Sequence, residues 1–132
     1  MNELNIVKTY YTHFNNRNWQ GMLDIVSDDI IHYPNEGDPR HGKELFTQFL
    51  QKMDTAYSEK LTGMIFYTAD DPSKIAVQFT VNGIYKIAED GLPPAHGQSY
   101  VLPAAAFLEV SDGKIRSVTT YYNLHEWIEK VS

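Results

Sequence analysis

The segment Ser99–Asn123, SYVLPAAAFLEVSDGKIRSVTTYYN, constrains the chain most. Asp112 and Gly113 lie between two runs rich in β-branched and aromatic residues, a strong short-range hairpin signal, so two long antiparallel strands meet at Ser111–Lys114. In the first strand Val101, Pro103, Ala105 and Phe107 alternate with Leu102, Ala104, Ala106 and Leu108. Side chains of a strand point alternately to its two faces, so both faces are apolar and both need cover. Helices of the same chain can cover one face, and a second subunit the other.

Periodicity predicts the remaining elements. Leu4, Val7, Tyr10, Tyr11 and Phe14 recur at three- and four-residue spacing, the mark of a helix over 2–15. Asn18 caps a second, short helix through Trp19, Met22, Leu23, Ile25 and Val26, closed by Ser27, Asp28 and Asp29. Ile30–Tyr33 reads as a short strand stopped by Pro34, and NEGDPRHG as a loop. Leu45, Phe46, Phe49, Leu50, Met53 and Tyr57 form one face of a long helix from Gly42 to Tyr57. Leu61–Thr68 and Lys74–Ile87 make a hairpin across 70–73, the loop AEDGLPPAHGQ leads back to the opening pair, and Leu124–Val131 is a terminal helix with Trp127 and Ile128 as apolar contacts.

Helices followed by a run of strands indicate α+β, expected as a single domain over residues 1–132. A curved antiparallel sheet wrapped around the long helix would leave a hollow suited to a small molecule. A chain of 132 residues can bury one sizeable core without staples. The absence of cysteine removes disulfides, thiolate catalysis and cysteine zinc sites. A net charge of −6 with 11 singly spaced Lys and Arg argues against a nucleic-acid surface. No apolar run reaches membrane-spanning length and no leader pattern opens the chain, so the expectation is a cytoplasmic protein without a membrane partner. The five histidines show no paired ligand spacing and no glycine-rich phosphate loop opens a helix, so no metal or cofactor is expected.

Three motifs carry a resemblance: VxxYYxxFNNRNWxxMLxxVSDDIIHYP, then PRxGKExFxxFLxxM, then DGKIxxVTTYYN. Together they resemble the NTF2-like superfamily, in particular its ketosteroid-isomerase-like and SnoaL-like members. The resemblance implies a cystatin-like cone with an N-terminal helical hairpin. It also implies an isomerase, cyclase or lyase acting on a carbonyl-bearing hydrophobic molecule, or a noncatalytic binding or assembly module, since the superfamily hosts both. Laid on the ketosteroid isomerase pattern, the oxyanion tyrosine falls at Tyr10, the general base at Tyr33 and the protonated acid at Ala105. Tyrosine is not a mild base at neutral pH and alanine donates no hydrogen bond, so steroid isomerisation by that mechanism is not expected. The acid of SnoaL-like cyclases falls at Asn123, an amide that can orient a carbonyl but cannot shuttle a proton.

The catalytic candidates are therefore Tyr10, with Tyr33 or Asn123, as donors to a developing enolate, and the loop residue Glu36 as the nearest carboxylate for a base. Each has a bland alternative: Tyr10 as core, Tyr33 as lining, Glu36 as a solvated acid. His32 alternates away from Tyr33 and reads as structural or surface. Candidate pocket residues are Phe14 and Trp19 of the first helices, Met53 and Tyr57 of the long helix, and Phe79, Val81 and Tyr85 beside Gly83. From the hairpin, Ala105, Phe107, Val118, Thr120 and Tyr122 complete the set. Ile84, Leu102, Ala104, Ala106, Leu108 and Tyr121 would form the outward face that a second copy covers.

Overall fold

The computed structural model describes residues 2–132. Helix α1 (Glu3–Asn15) starts where the Asn2 side chain accepts from the Asn5 amide, and α2 (Trp19–Asp24) starts where Asn18 does the same for Gly21. Strand β1 (Val26–Tyr33) follows, then a two-residue β2 (Arg40–His41) and the long α3 (Lys43–Ala56). Four strands come next, β3 (Tyr57–Thr68), β4 (Lys74–Tyr85), β5 (Ser99–Ser111) and β6 (Lys114–Tyr122), and α4 (Leu124–Val131) ends the fold. The hairpin turn between β5 and β6 has Asp112 at φ 54° and Gly113 at φ 75°, as a two-residue primed turn requires.

The six strands form one curved, unclosed sheet in the order β2-β1-β6-β5-β4-β3. All pairs are antiparallel except β1 and β6, which lie parallel. Strand β1 is longer than expected because Ser27, Asp28 and Asp29 belong to it instead of closing α2, although the register with β6 is interrupted between Val26 and Ile31. Its parallel partner is remote in sequence, which local periodicity cannot reveal. The core lies between the inner sheet face and the helices: Val7, Met22, Ile30, Phe46, Leu50, Val77, Leu108 and Ile115 are fully buried.

The two faces of β5 are the reverse of the expected assignment. Leu102, Ala106 and Leu108 are buried and Ala104 is half-buried, all facing inward, whereas Val101, Pro103 and Phe107 are exposed on the outer face with Ala105. An apolar strand carries no parity of its own, and a one-residue slip exchanges its faces. Here the register with β4 decides: Val81 pairs with Leu102, Phe79 with Ala104 and Gly83 with Tyr100. Phe79 and Val81 face inward as expected, so their partners must too. Ile84 and Tyr121 remain on the outer face, 44% and 57% exposed, while Leu102, Ala104, Ala106 and Leu108 do not belong there.

Gly83 fixes that register. It sits between Glu59 of β3 and Tyr100 of β5, and a methyl group built on it would overlap the Tyr100 ring. Without a side chain at Gly83, the Tyr100 ring lies across the middle strand and its hydroxyl donates to the Glu59 carboxylate. A second long-range clasp ties helix to sheet. The Asn15 side chain donates to the Leu61 carbonyl at 2.9 Å and accepts from the Leu61 amide at 2.8 Å, so it acts as a short extra strand on β3.

Candidate functional site

Between the inner sheet face, α1, α3 and α4 lies a cavity of about 370 Å³. Its floor is apolar: Phe79, Val81, Leu102, Ala104 and Val118 from the sheet, Phe14 from α1, Phe49 and Met53 from α3, and Trp127 from α4. Each arrives by an identifiable device. The Asn15 clasp holds α1 over β3 and presents Tyr10, Tyr11 and Phe14, with Tyr11 packed on Phe79 at 5.7 Å between ring centroids. Trp127 wedges edge-on against Tyr85 at 4.9 Å and Tyr100 at 5.9 Å, closing the end of the sheet.

The loop after β4 folds over this end. The Tyr85 hydroxyl donates to the Pro93 carbonyl at 2.7 Å, and the Gln98 amide nitrogen donates to the carbonyls of Pro94 and Val131 at 2.9 and 2.8 Å. These bonds bring Glu89, Asp90 and Leu92 into the cavity wall. The loop after β1 is pinned by Asn35, whose side-chain oxygen accepts from the Tyr122 amide at 2.9 Å, so Pro34, Asn35 and Glu36 line the cavity as well.

The polar groups fall into two clusters. On β3 the Glu59 carboxyl lies in the wall with Tyr100 bonded to it, and burial raises its pKa against the smaller lowering effect of that bond. Burial and the adjacent carboxylate hold the Tyr100 hydroxyl well above the ordinary phenol range. The Tyr57 hydroxyl, raised by burial and by Glu89, is likewise fixed in its protonated form. Tyr10 is raised by burial alone, and Tyr122 is pushed up to about 12 by burial and the fields of Glu59, Glu36 and Glu89. All four phenols are therefore donors at neutral pH.

On β1 and β2, across the sheet, stand His32 and Arg40, adjacent in register. His32 is 3% exposed, its ring 4.2 Å from Phe49 and 5.6 Å from Phe46, and burial followed by the Arg40 charge lowers its pKa to about 4. Its Nδ1 and the Nη1 of Arg40 are buried without hydrogen-bond partners.

Among the expected site residues, Tyr10, Phe14, Glu36, Met53, Tyr57, Phe79, Val81, Val118, Thr120 and Tyr122 all border the cavity. Others lie elsewhere. Tyr33 is on the outer face, beside Ile31, Phe107 and Thr119 in a separate groove, because His32 takes the inward position of β1. Asn123 caps α4, accepting from the Glu126 amide at 3.0 Å. Trp19 packs edge-on against Phe14 behind the wall, at 5.8 Å. Tyr85 is fully buried behind Tyr57, stacked at 5.6 Å, and Ala105 and Phe107 turn outward with their strand.

Sequence reasoning passed over Glu59, Tyr100, Glu89 and Arg40, and it read His32, which lines the cavity, as structural or surface. Gly83 within an apolar strand was the legible signal for the first two, since it marks a close approach of a neighbouring group. Among the described residues no group of three or more His, Asp or Glu side chains could hold a metal ion, and no helix is long and apolar enough to cross a membrane.

Comparison with known proteins matches residues 7–118 to the model of the SnoaL-like domain. No curated protein matches. A solved structure from Pseudomonas putida, named a candidate polyketide cyclase, is 42% identical over 100% of this chain and 99% of its own, with TM-score 0.97. One from Silicibacter sp., named in the same way, is 43% identical over 99% of this chain and 96% of its own, with TM-score 0.96. An NTF2-like protein of unknown function from Burkholderia pseudomallei shares the fold at 16% identity, covering 100% of this chain and 98% of its own, with TM-score 0.81.

Proposed function

The chain belongs to the SnoaL-like domain family of the NTF2-like superfamily, and from that premise we propose that it moves a proton beside a carbonyl of an apolar small molecule, with Glu59 as acid and base. One observation carries this reading: a carboxyl group of raised pKa in an apolar cavity, aimed by a single tyrosine that reaches it across a glycine. The Glu59 carboxylate takes the proton from the carbon next to the carbonyl, and the bonding pair moves into an enolate. Tyr10, kept protonated by burial, donates to the enolate oxygen. The enolate carbon then attacks a second carbonyl of the same molecule, whose oxygen receives the proton from Glu59; or, where a neighbouring double bond makes the enolate a dienolate, Glu59 returns the proton to its far carbon and the double bond shifts. The first path closes a ring and the second isomerises.

Two solved relatives above 40% identity carry the name of candidate polyketide cyclases, which favours ring closure. The test is hydrogen–deuterium exchange beside the carbonyl of 1-tetralone, followed by NMR. The protein should accelerate exchange, Glu59→Gln should lower the rate by about 100-fold, and Tyr10→Phe should lower it less. Equal rates for Glu59→Gln and the parent refute the role of Glu59. Binding of 1-tetralone with no acceleration favours the noncatalytic reading, which the Tyr33, Ala105 and Asn123 departures from the family acids support.

We also propose that a second copy covers the outer sheet face. Val101, Phe107 and Tyr121 are each more than half exposed there, and Phe107 and Tyr121 already pack edge-on at 6.0 Å. Sedimentation should give a dimer that Phe107→Glu dissociates. A parent that sediments as a monomer at micromolar concentration ends this proposal.

A further inference from the structure

The cavity lining holds two cations, Lys52 and Arg40. Lys52 is neutralised by Glu89 at 3.3 Å. Arg40 forms no ion pair among the described residues; its guanidinium lies over the Phe49 ring at 5.5 Å and leaves Nη1 buried and unpartnered. The neighbouring His32 is buried to 97%, equally without a partner at Nδ1, and lines the same cavity. A buried polar atom left unpaired costs roughly 1–3 kcal/mol, more when charged, so the Arg40 guanidinium and the His32 ring, paired in register on neighbouring strands, mark a place completed by something else.

We propose that Arg40 and His32 form an oxyanion subsite, so that the ligand of this cavity is an amphipathic carboxylic acid: an apolar ring system with its carboxylate against the Arg40 guanidinium and His32. A planar guanidinium fits a planar carboxylate, and the Phe49 face holds that plane in place. The remaining wall opposes any other orientation. Glu59 on β3, and Glu89 and Asp90 in the loop after β4, border the cavity, so a carboxylate placed near β3 would meet like charge. Strands β1 and β3 lie four strand spacings apart in the sheet, about 19 Å along the curved surface. The ligand is therefore oriented with its acid at β1 and β2 and its reactive carbonyl toward Glu59. The orientation clause rests on the role proposed for Glu59; the subsite itself does not.

The experiment is calorimetric titration with 2-naphthoate and its neutral counterpart 2-naphthamide. The parent should bind the acid about tenfold tighter than the amide, the difference expected for a charge-assisted bond. Arg40→Gln should bring the acid down to the level of the amide, and Arg40→Lys should retain part of the preference. Glu59→Gln should keep the preference intact while losing proton exchange, so failure of the subsite and failure of the base are read separately. Equal affinity of the parent for acid and amide, no binding of the acid at millimolar concentration, or an unchanged preference in Arg40→Gln each overturns the proposal. The parent comparison needs no variant to fold.

Discussion

Gly83→Ala tests the central packing device of the sheet. The added methyl points inward, where the Tyr100 ring lies on its way to Glu59, and the overlap involves a ring held by Trp127 at 5.9 Å as well as by the carboxyl group. Neither neighbour lets the ring swing freely, so the strain falls on the register of β4 with β5. Overpacking of this kind costs about 1–3 kcal/mol. At about 2.1 cal/mol/K per residue, a 132-residue chain has an unfolding entropy near 0.28 kcal/mol/K, so a 2 kcal/mol loss lowers Tm by about 7 °C.

The sign reverses when the ring is removed. In a Tyr100→Val background the methyl meets open space, and replacing a strand glycine by alanine gains about 0.5 kcal/mol. The double-mutant cycle should therefore show a coupling of roughly 2–3 kcal/mol. Urea unfolding followed by circular dichroism, at one fixed protein concentration, gives all four stabilities. A coupling below about 0.5 kcal/mol would mean that Tyr100 does not lie across Gly83, and the mechanism that aims Glu59 would fall with it.

His32 stays neutral in the fold with a pKa near 4, whereas the unfolded residue titrates near 6.5, so its contribution is complete above pH 6.5 and is lost as pH falls toward 4. His32→Phe, which suits a site between Phe46 and Phe49, should flatten that decline, worth about 2 kcal/mol between pH 7 and pH 5, in urea unfolding at those two values; an unchanged slope would refute the buried neutral imidazole. Glu59 works in the opposite direction. Its raised pKa favours the protonated folded state, so the stability it contributes is present below its unfolded pKa and declines as pH rises through its folded value; Glu59→Gln should be more stable than the parent at pH 7 and show no such advantage at pH 3. Asn15→Ala breaks both bonds to Leu61 and leaves its amide and carbonyl unpaired, a loss of about 2–3 kcal/mol with faster hydrogen exchange at the Leu61 amide; exchange as slow as in the parent would show that another group holds β3.

Much of the fold was legible because its elements advertise themselves locally. The 3.6-residue spacing of Leu4, Val7, Tyr10 and Phe14 and the Asp112-Gly113 turn are short-range signals, and α4 appears over Leu124–Val131 as expected. The candidate site was legible in part. Tyr10, Met53, Phe79 and Tyr122 were found because they sit on elements with an unambiguous apolar face or a known parity. Glu59 was missed because a carboxylate on a mixed strand looks solvated until its partner is seen, and that partner lies 41 residues away. Arg40 was missed because β2 has only two residues, too short to leave any periodic trace, and His32 was read as structural or surface because its turn toward the cavity depends on how β1 pairs in the sheet.

What the sequence alone determined is the inventory: an α+β order, a long hairpin apolar on both faces, an aromatic-rich interior and no cysteine chemistry. It could not choose between the faces of β5, since Val101–Leu108 satisfies either assignment equally well. The tertiary structure made that choice through the pairing of Gly83 with Tyr100, where a missing side chain on one strand admits a ring from the next. That single register turned Leu102 and Ala104 into the cavity and Phe107 and Val101 out of it, and set a carboxyl group and a tyrosine together on the cavity wall. Pairwise contacts between strands, and the burial they create, are properties of the assembled sheet, so the position and chemistry of the site were decided there.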